Sequence, residues 1–77
     1  MKVTVYGGGN IGTQLAVHFA ETGNEVTIFT SKPGKFAMHL TIVNKNGGIL
    51  HEGDIAGATD DREKAFSDPD VILVTVP

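Results

Sequence analysis

The sequence predicts an α/β fold built on a parallel sheet, on three observations. A β-rich run, Val3-Thr4-Val5-Tyr6, stops at a glycine cluster, Gly7-Gly8-Gly9-Asn10-Ile11-Gly12. An apolar stripe of helical period comes next. A second β-rich run, Glu25-Val26-Thr27-Ile28-Phe29, follows it. Strand, glycine turn, helix and strand make a βαβ unit, whose strands lie parallel and whose turn lies at the carboxyl edge of the sheet.

Taken in order, Lys2 to Tyr6 reads as a strand with a sharp stop at Gly7. Asn10 is the predicted N-cap of the helix, and Ile11, Leu15 and Phe19 recur at i, i+4 and i+8 with Ala16 and Ala20 alongside, as one buried face does. Gly23 stands where a left-handed glycine ends a helix. Thr30 to Lys35 is a polar turn, and Phe36 to Leu40 is read as a short helix. Thr41-Ile42-Val43 and Gly48-Ile49-Leu50-His51 flank Asn44-Lys45-Asn46-Gly47, a hairpin signal. Ile55 to Thr59 is expected as the third strand of the main sheet. Asp60, with Glu63 three residues on, reads as the cap of a short helix that turns Ala65 and Phe66 inward. Ser67-Asp68-Pro69-Asp70 ends it. Val71 to Val76 is apolar on both faces, as a strand inside a parallel sheet is. The expected architecture is thus a Rossmann-like parallel sheet, the first βαβ half only, with a β-hairpin insertion between the second strand and the last helix.

Composition narrows the function. The chain has 77 residues, enough for one small domain that buries only roughly 60% of its unfolded surface. It has no cysteine, so disulfides, thiolate zinc sites and cysteine nucleophiles are excluded. Six Lys+Arg against nine Asp+Glu, with Arg62 the one arginine, argue against nucleic acid as a partner. No run reaches the roughly 18 apolar residues of a membrane span, and the start lacks a signal-peptide pattern. No membrane association is expected, and cytoplasmic location is the default reading.

Gly7, Gly9 and Gly12 spell G-x-G-x-x-G, the turn that holds a dinucleotide pyrophosphate. Gly7 lets the chain turn out of the strand, Gly9 lets the backbone approach the phosphates, and Gly12 lets helix and strand pack closely. The phosphates would sit on the free N–H groups at the helix start. Gly8 and Ile11 are candidate backbone contacts, although Ile11 also fits as the first apolar residue of the helix, and Asn10 serves as cap, ligand contact or both. The usual acid at the end of the second strand, which binds the ribose 2′-OH of NAD, is absent. Thr30, Ser31 and Lys32 stand there, with Lys35 near. Hydroxyls and a lysine receive a 2′-phosphate that an acid would repel, so NADP is expected over NAD, against the plain reading of a polar turn.

KVTVYGGGNIGTQLAVHFAETGNEVTIFT, a hairpin in place of a second crossover helix, GATDDREKAF and the ending DVILVTVP together resemble the N-terminal domain of the opine (octopine/nopaline) dehydrogenases, with ketopantoate reductases as relatives. The ending Val76-Pro77 is more like opine and glycerol-phosphate dehydrogenases. The resemblance implies an oxidoreductase acting on a 2-oxo acid or its imine with an amino acid, and it implies Val76 and Pro77 as cofactor contacts. It also implies catalytic residues beyond this stretch, so residues 1–77 are expected to bind the dinucleotide cofactor without being catalytic alone. Because the last strand should be interior, the chain is expected to be the N-terminal part of a longer protein whose C-terminal substrate domain is missing. A minimal domain that associates with itself through that strand's edge is the alternative. A non-catalytic nucleotide-sensing module is the alternative function, disfavoured by the missing acid and by Asn46-Gly47. No catalytic residue is assigned, and no metal is expected. His18 reads as a packed residue, and His39 and His51 lack carboxylates or further histidines at ligand spacing.

Overall fold

The computed structural model describes residues 1–75. Strand β1 (Lys2–Tyr6) leads through the glycine turn to helix α1 (Asn10–Glu21) and strand β2 (Glu25–Phe29). A single 3-10 turn at Pro33–Lys35 precedes β3 (His39–Val43) and β4 (Ile49–Asp54); then come β5 (Gly57–Thr59), α2 (Arg62–Phe66) and β6 (Val71–Val74). The main sheet has the order β5-β2-β1-β6, every pairing parallel, and β3 with β4 forms a separate antiparallel hairpin. The Rossmann-like parallel sheet with a hairpin insertion is therefore what the chain adopts.

Parallel neighbours need a crossover connection, and between β2 and β5 the hairpin supplies it. β4 packs along α1, with Gly53 so close that a Cβ there would lie 2.9 Å from the Ala20 Cβ and 2.9 Å from the Glu21 nitrogen. The base of the hairpin is closed by Ile55 N–H donating to the Met38 carbonyl and tied to the sheet by Ala56 N–H donating to the Val26 carbonyl of β2, both at 2.7 Å. Asn44 closes its turn: Oδ1 accepts from the N–H groups of Asn46 and Gly48, and Gly47 takes the left-handed φ of 86°.

Side chains alternate across β1. Val3 and Val5 join Val26, Ile28, Ala16 and Ile55 in the core on the α1 side. Each of the valines and isoleucines contributes about 1.5–3 kcal/mol by its burial. Thr4 and Tyr6 face α2, where the Thr4 hydroxyl donates to the Ala65 carbonyl and Tyr6, Phe29 and Phe66 stack with centroids 5.0–5.9 Å apart. The short α2 covers this face only in part, so Ile72 and Val74 stay 47% and 68% exposed.

Four expectations need correction. Along α1, Gly12, Ala16 and Val17 are buried and Phe19 and Ala20 pack against the core as expected, while Ile11 is 68% exposed and lies off that face. Asn10 is the first helical residue and Gly9 the N-cap. Asp61, not Asp60, caps α2, its carboxylate accepting from the N–H groups of Glu63 and Lys64. Phe36 to Leu40 is not a helix: Pro33 starts a 3-10 turn, Phe36 packs against the core, and Leu40 alternates with His39 and Thr41 in β3.

The hairpin carries exposed ionic contacts. His39 sits between two carboxylates of β4, Nδ1 at 2.6 Å from Asp54 Oδ1 and Nε2 at 2.9 Å from Glu52 Oε1. The hydrogen bond to Asp54, then that to Glu52, raises its pKa above the usual 6.5. A raised pKa in the folded state means the contribution is full below the unfolded value and is lost as pH rises through the folded one. Amide exchange in the hairpin is therefore expected to accelerate as pH climbs past the His39 titration, beyond the intrinsic base catalysis seen in a His39→Asn variant. Equal pH dependence in the two proteins would refute this clamp.

Candidate functional site

The carboxyl edge of the sheet gathers the ends of β1, β2 and β5 around the glycine turn. Gly7 leaves β1 with φ 123°, a conformation that side chains other than glycine rarely take, and its N–H donates to the Phe29 carbonyl at 3.0 Å. The turn is thereby pinned to the neighbouring strand. Gly12 faces back onto it: a Cβ there would fall on the Gly7 carbonyl oxygen and 2.8 Å from Thr75 Oγ1. Thr75 is itself fixed, its N–H and its hydroxyl both donating to the Tyr6 carbonyl at 2.9 and 3.0 Å.

Gly8 and Gly9 differ from these two. A Cβ on Gly8 would lie 2.9 Å from Thr30 Oγ1 and 3.0 Å from the Phe36 ring, so Gly8 permits the β2 end to close over the turn. A Cβ on Gly9 would meet no described protein atom within 4 Å. The chain's own packing leaves Gly9 free, and the space in front of it is open to a ligand.

Helix α1 starts at this open space. Gly9 provides no side-chain cap, and there is no acid in the first turn. The N–H groups of Asn10, Ile11 and Gly12 lack intrahelical acceptors by helix geometry, and the positive end of the dipole is not offset by a neighbouring carboxylate. At α2 the chain's own Asp61 performs that service. The two helix starts are built for different occupants, and that of α1 suits an anion from outside the chain.

Beside the turn is a pocket of about 450 Å³ lined by Tyr6, Gly7, Gly8, Phe29, Thr30, Ser31, Asp60 and Arg62. Thr30 is held by its N–H on the Thr59 carbonyl, and its hydroxyl accepts from the Lys32 N–H at 3.2 Å. Of the predicted residues, Gly7 to Gly12 and Thr30 and Ser31 are thus brought together. Lys32 is exposed and stands at the N-cap of the 3-10 turn, outside the lining of the pocket. Val76 and Pro77 lie outside the described residues.

Asp60 and Arg62 also line this pocket and are candidate site residues that sequence reasoning did not assign to it. They enter from the end of β5 because β5 pairs with β2, Thr59 opposite Phe29. The signal was their position: residues just past the third strand emerge at the same sheet edge as the glycine turn. A second miss concerns the histidines. His51 Nδ1 lies 2.9 Å from Glu21 Oε1 and its ring 4.5 Å from that of His18, while His39 has two carboxylates, so both do have ionisable neighbours. The sequence could not show these pairs because the hairpin packing creates them. The His51 hydrogen bond, then that from the Glu52 N–H, holds the Glu21 carboxyl below its ordinary pKa.

Comparison with known proteins agrees with this geometry. The family model described as NAD-dependent glycerol-3-phosphate dehydrogenase N-terminus matches residues 2–77. The chain is 33% identical over 79 residues to glycerol-3-phosphate dehydrogenase [NAD(P)+] of Clostridium botulinum (strain Alaska E43 / Type E3), covering 99% of this chain and 24% of that protein. It is 36% identical over 80 residues to the Bacillus subtilis (strain 168) enzyme of the same name, covering 99% and 23%. Among solved structures, octopine dehydrogenase with NADH and L-arginine superposes with a TM-score of 0.79 at 32% identity, over 99% of this chain and 22% of that one. The resemblance to an opine dehydrogenase N-terminal domain is thereby borne out. The chain spans about a quarter of the length of these relatives.

Proposed function

Since the chain belongs to the family of NAD-dependent glycerol-3-phosphate dehydrogenase N-termini, a family of nicotinamide dinucleotide-binding domains, we propose that it binds NADP as the cofactor-holding part of an oxidoreductase, with NAD as the alternative. One observation carries this reading most directly. The uncapped start of α1 faces a space where Gly9 leaves room for a ligand. The pyrophosphate would take the N–H groups of Asn10, Ile11 and Gly12. The adenosine ribose would enter the pocket, where the hydroxyls of Thr30 and Ser31 and the guanidinium of Arg62 can receive a 2′-phosphate.

The nicotinamide, when bound, supplies the hydride chemistry; this chain fixes the far end of the cofactor and so positions the ring. The octopine dehydrogenase likeness supports a 2-oxo acid, or its imine with an amino acid, as substrate. The family match favours a second reading, glycerol 3-phosphate and its oxidised ketone. A C-terminal substrate domain would supply the catalytic groups, and it would cover the exposed Ile72 and Val74.

Calorimetric titration of the intact protein at fixed salt tests the cofactor. A charge-assisted contact to the 2′-phosphate contributes about 1.5–3 kcal/mol, so NADP should bind roughly 10–100 times more tightly than NAD. Equal or tighter NAD binding would end the NADP preference, and failure of both to bind would end the reading as a whole. Reduced-cofactor oxidation with pyruvate plus an amino acid, set against dihydroxyacetone phosphate, then assigns the substrate; turnover only with the phosphate selects the second reading.

A further inference from the structure

The opposite end of α1 carries a group of side chains that dinucleotide binding does not use. His18 and Glu21 stand at i and i+3 in the last turns of the helix and so share one face. β4 lays His51 across them. One ligand atom from each of the three residues lies within 4.8 Å of the other two. His51 Nδ1 is 2.9 Å from Glu21 Oε1, and the His18 and His51 rings tilt together at 4.5 Å.

Two imidazoles and one carboxylate are donors that zinc takes readily. Their placement adds two further features. The Glu52 N–H donates to Glu21 Oε2 at 3.2 Å, leaving Oε1 facing His51; a backbone donor of this kind orients a ligating carboxylate from outside. The trio also sits at the carboxyl end of α1, where the helix dipole favours a cation.

We propose that His18, Glu21 and His51 form a three-ligand Zn²⁺ site that fastens the β3–β4 hairpin to α1, with water in the fourth position. Metal–ligand bonds of roughly 2.0–2.2 Å in a tetrahedral site put donor atoms about 3.3 Å apart. The three side chains reach that spacing from 4.8 Å or less by rotation, since His18 and Glu21 are exposed and His51 is only half-buried. The site lies roughly 16 Å along the helix from the glycine turn. It acts on structure: it joins residues 30 positions apart in the chain and leaves the dinucleotide site untouched.

The test uses the intact protein without a histidine tag, stripped by chelator, with Zn²⁺ followed by calorimetry and Co²⁺ by its visible absorption. One equivalent should bind and raise the melting temperature. His51→Ala, His18→Ala and Glu21→Gln should each weaken binding by at least the roughly 10–100-fold that loss of an outer-shell partner causes. His39→Asn should bind as the parent does, although it too removes an exposed histidine with carboxylate neighbours. Absence of saturable binding would overturn the site. So would binding that His39→Asn abolishes while the His18 and His51 variants keep it.

Discussion

Gly12→Ala is expected to destabilise the domain and abolish dinucleotide binding together, whereas Gly9→Ala is expected to spare the fold and lose only the ligand. The added methyl at Gly12 falls on the Gly7 carbonyl oxygen and close to Thr75 Oγ1. Neither neighbour can give way cheaply. Gly7 is anchored by its N–H on the Phe29 carbonyl, and Thr75 by two hydrogen bonds on the Tyr6 carbonyl. Helix and strand must part instead, and overpacking of this kind costs about 1–3 kcal/mol or more. A domain of 77 residues has roughly 4–12 kcal/mol in all, so the loss is a large fraction. At Gly9 the backbone has φ −78° and ψ −171°, which alanine adopts without strain, and open space in front. Urea melts with calorimetry on both variants check the pair. Parental stability in Gly12→Ala would refute the close packing, and unchanged NADP and NAD affinity in Gly9→Ala would remove the ligand from that space.

What could be read from the sequence follows the range of the interactions. β1, the glycine turn, β2 and the Asn46-Gly47 hairpin rest on local preferences, such as period-two alternation and positive φ at Gly7 and Gly47, and they occur where expected. The inner face of α1 is legible at Ala16, Phe19 and Ala20 but not at Ile11, because periodicity reports where apolar residues recur and not how close the start of the helix lies to its sheet. At that start Gly12, which has no room for a Cβ against Gly7, takes the buried place and Ile11 is left exposed. The cap of α2 slipped by one residue because Asp60 and Asp61 are both acids. The Asp61 N–H on Thr59 Oγ1 fixes the choice, and only the fold shows that contact.

The site divides in the same way. The half proposed to face the phosphates, Gly7 to Gly12, is one continuous stretch and so can be named from the sequence alone. Its pocket half depends on β5 pairing with β2, a contact between residues about 30 apart, and that pairing delivers Arg62 and Asp60. The acid-free end of β2 had suggested Lys32 as the phosphate partner. The structure puts an arginine on the pocket wall and, beside it, an acid that the sequence reading had placed in a helix cap.

Arg62→Ala is accordingly expected to weaken NADP binding by about 10–100-fold, the range of a charge-assisted contact, while changing NAD affinity little. The guanidinium has no salt-bridge partner among the described residues, so its charge is available to a ligand. Its planar fork matches a phosphate better than the point charge of Lys32. Asp60 opposes it: a carboxylate on the same wall repels a 2′-phosphate and can accept from a 2′-OH. Asp60→Asn should therefore shift preference further toward NADP, and Lys32→Ala should matter less than Arg62→Ala. Titrating both dinucleotides against the three variants at one ionic strength separates the roles. If Arg62→Ala weakens NADP and NAD equally, the arginine contacts a part common to both, such as the adenine face by stacking, and the 2′ position is read elsewhere.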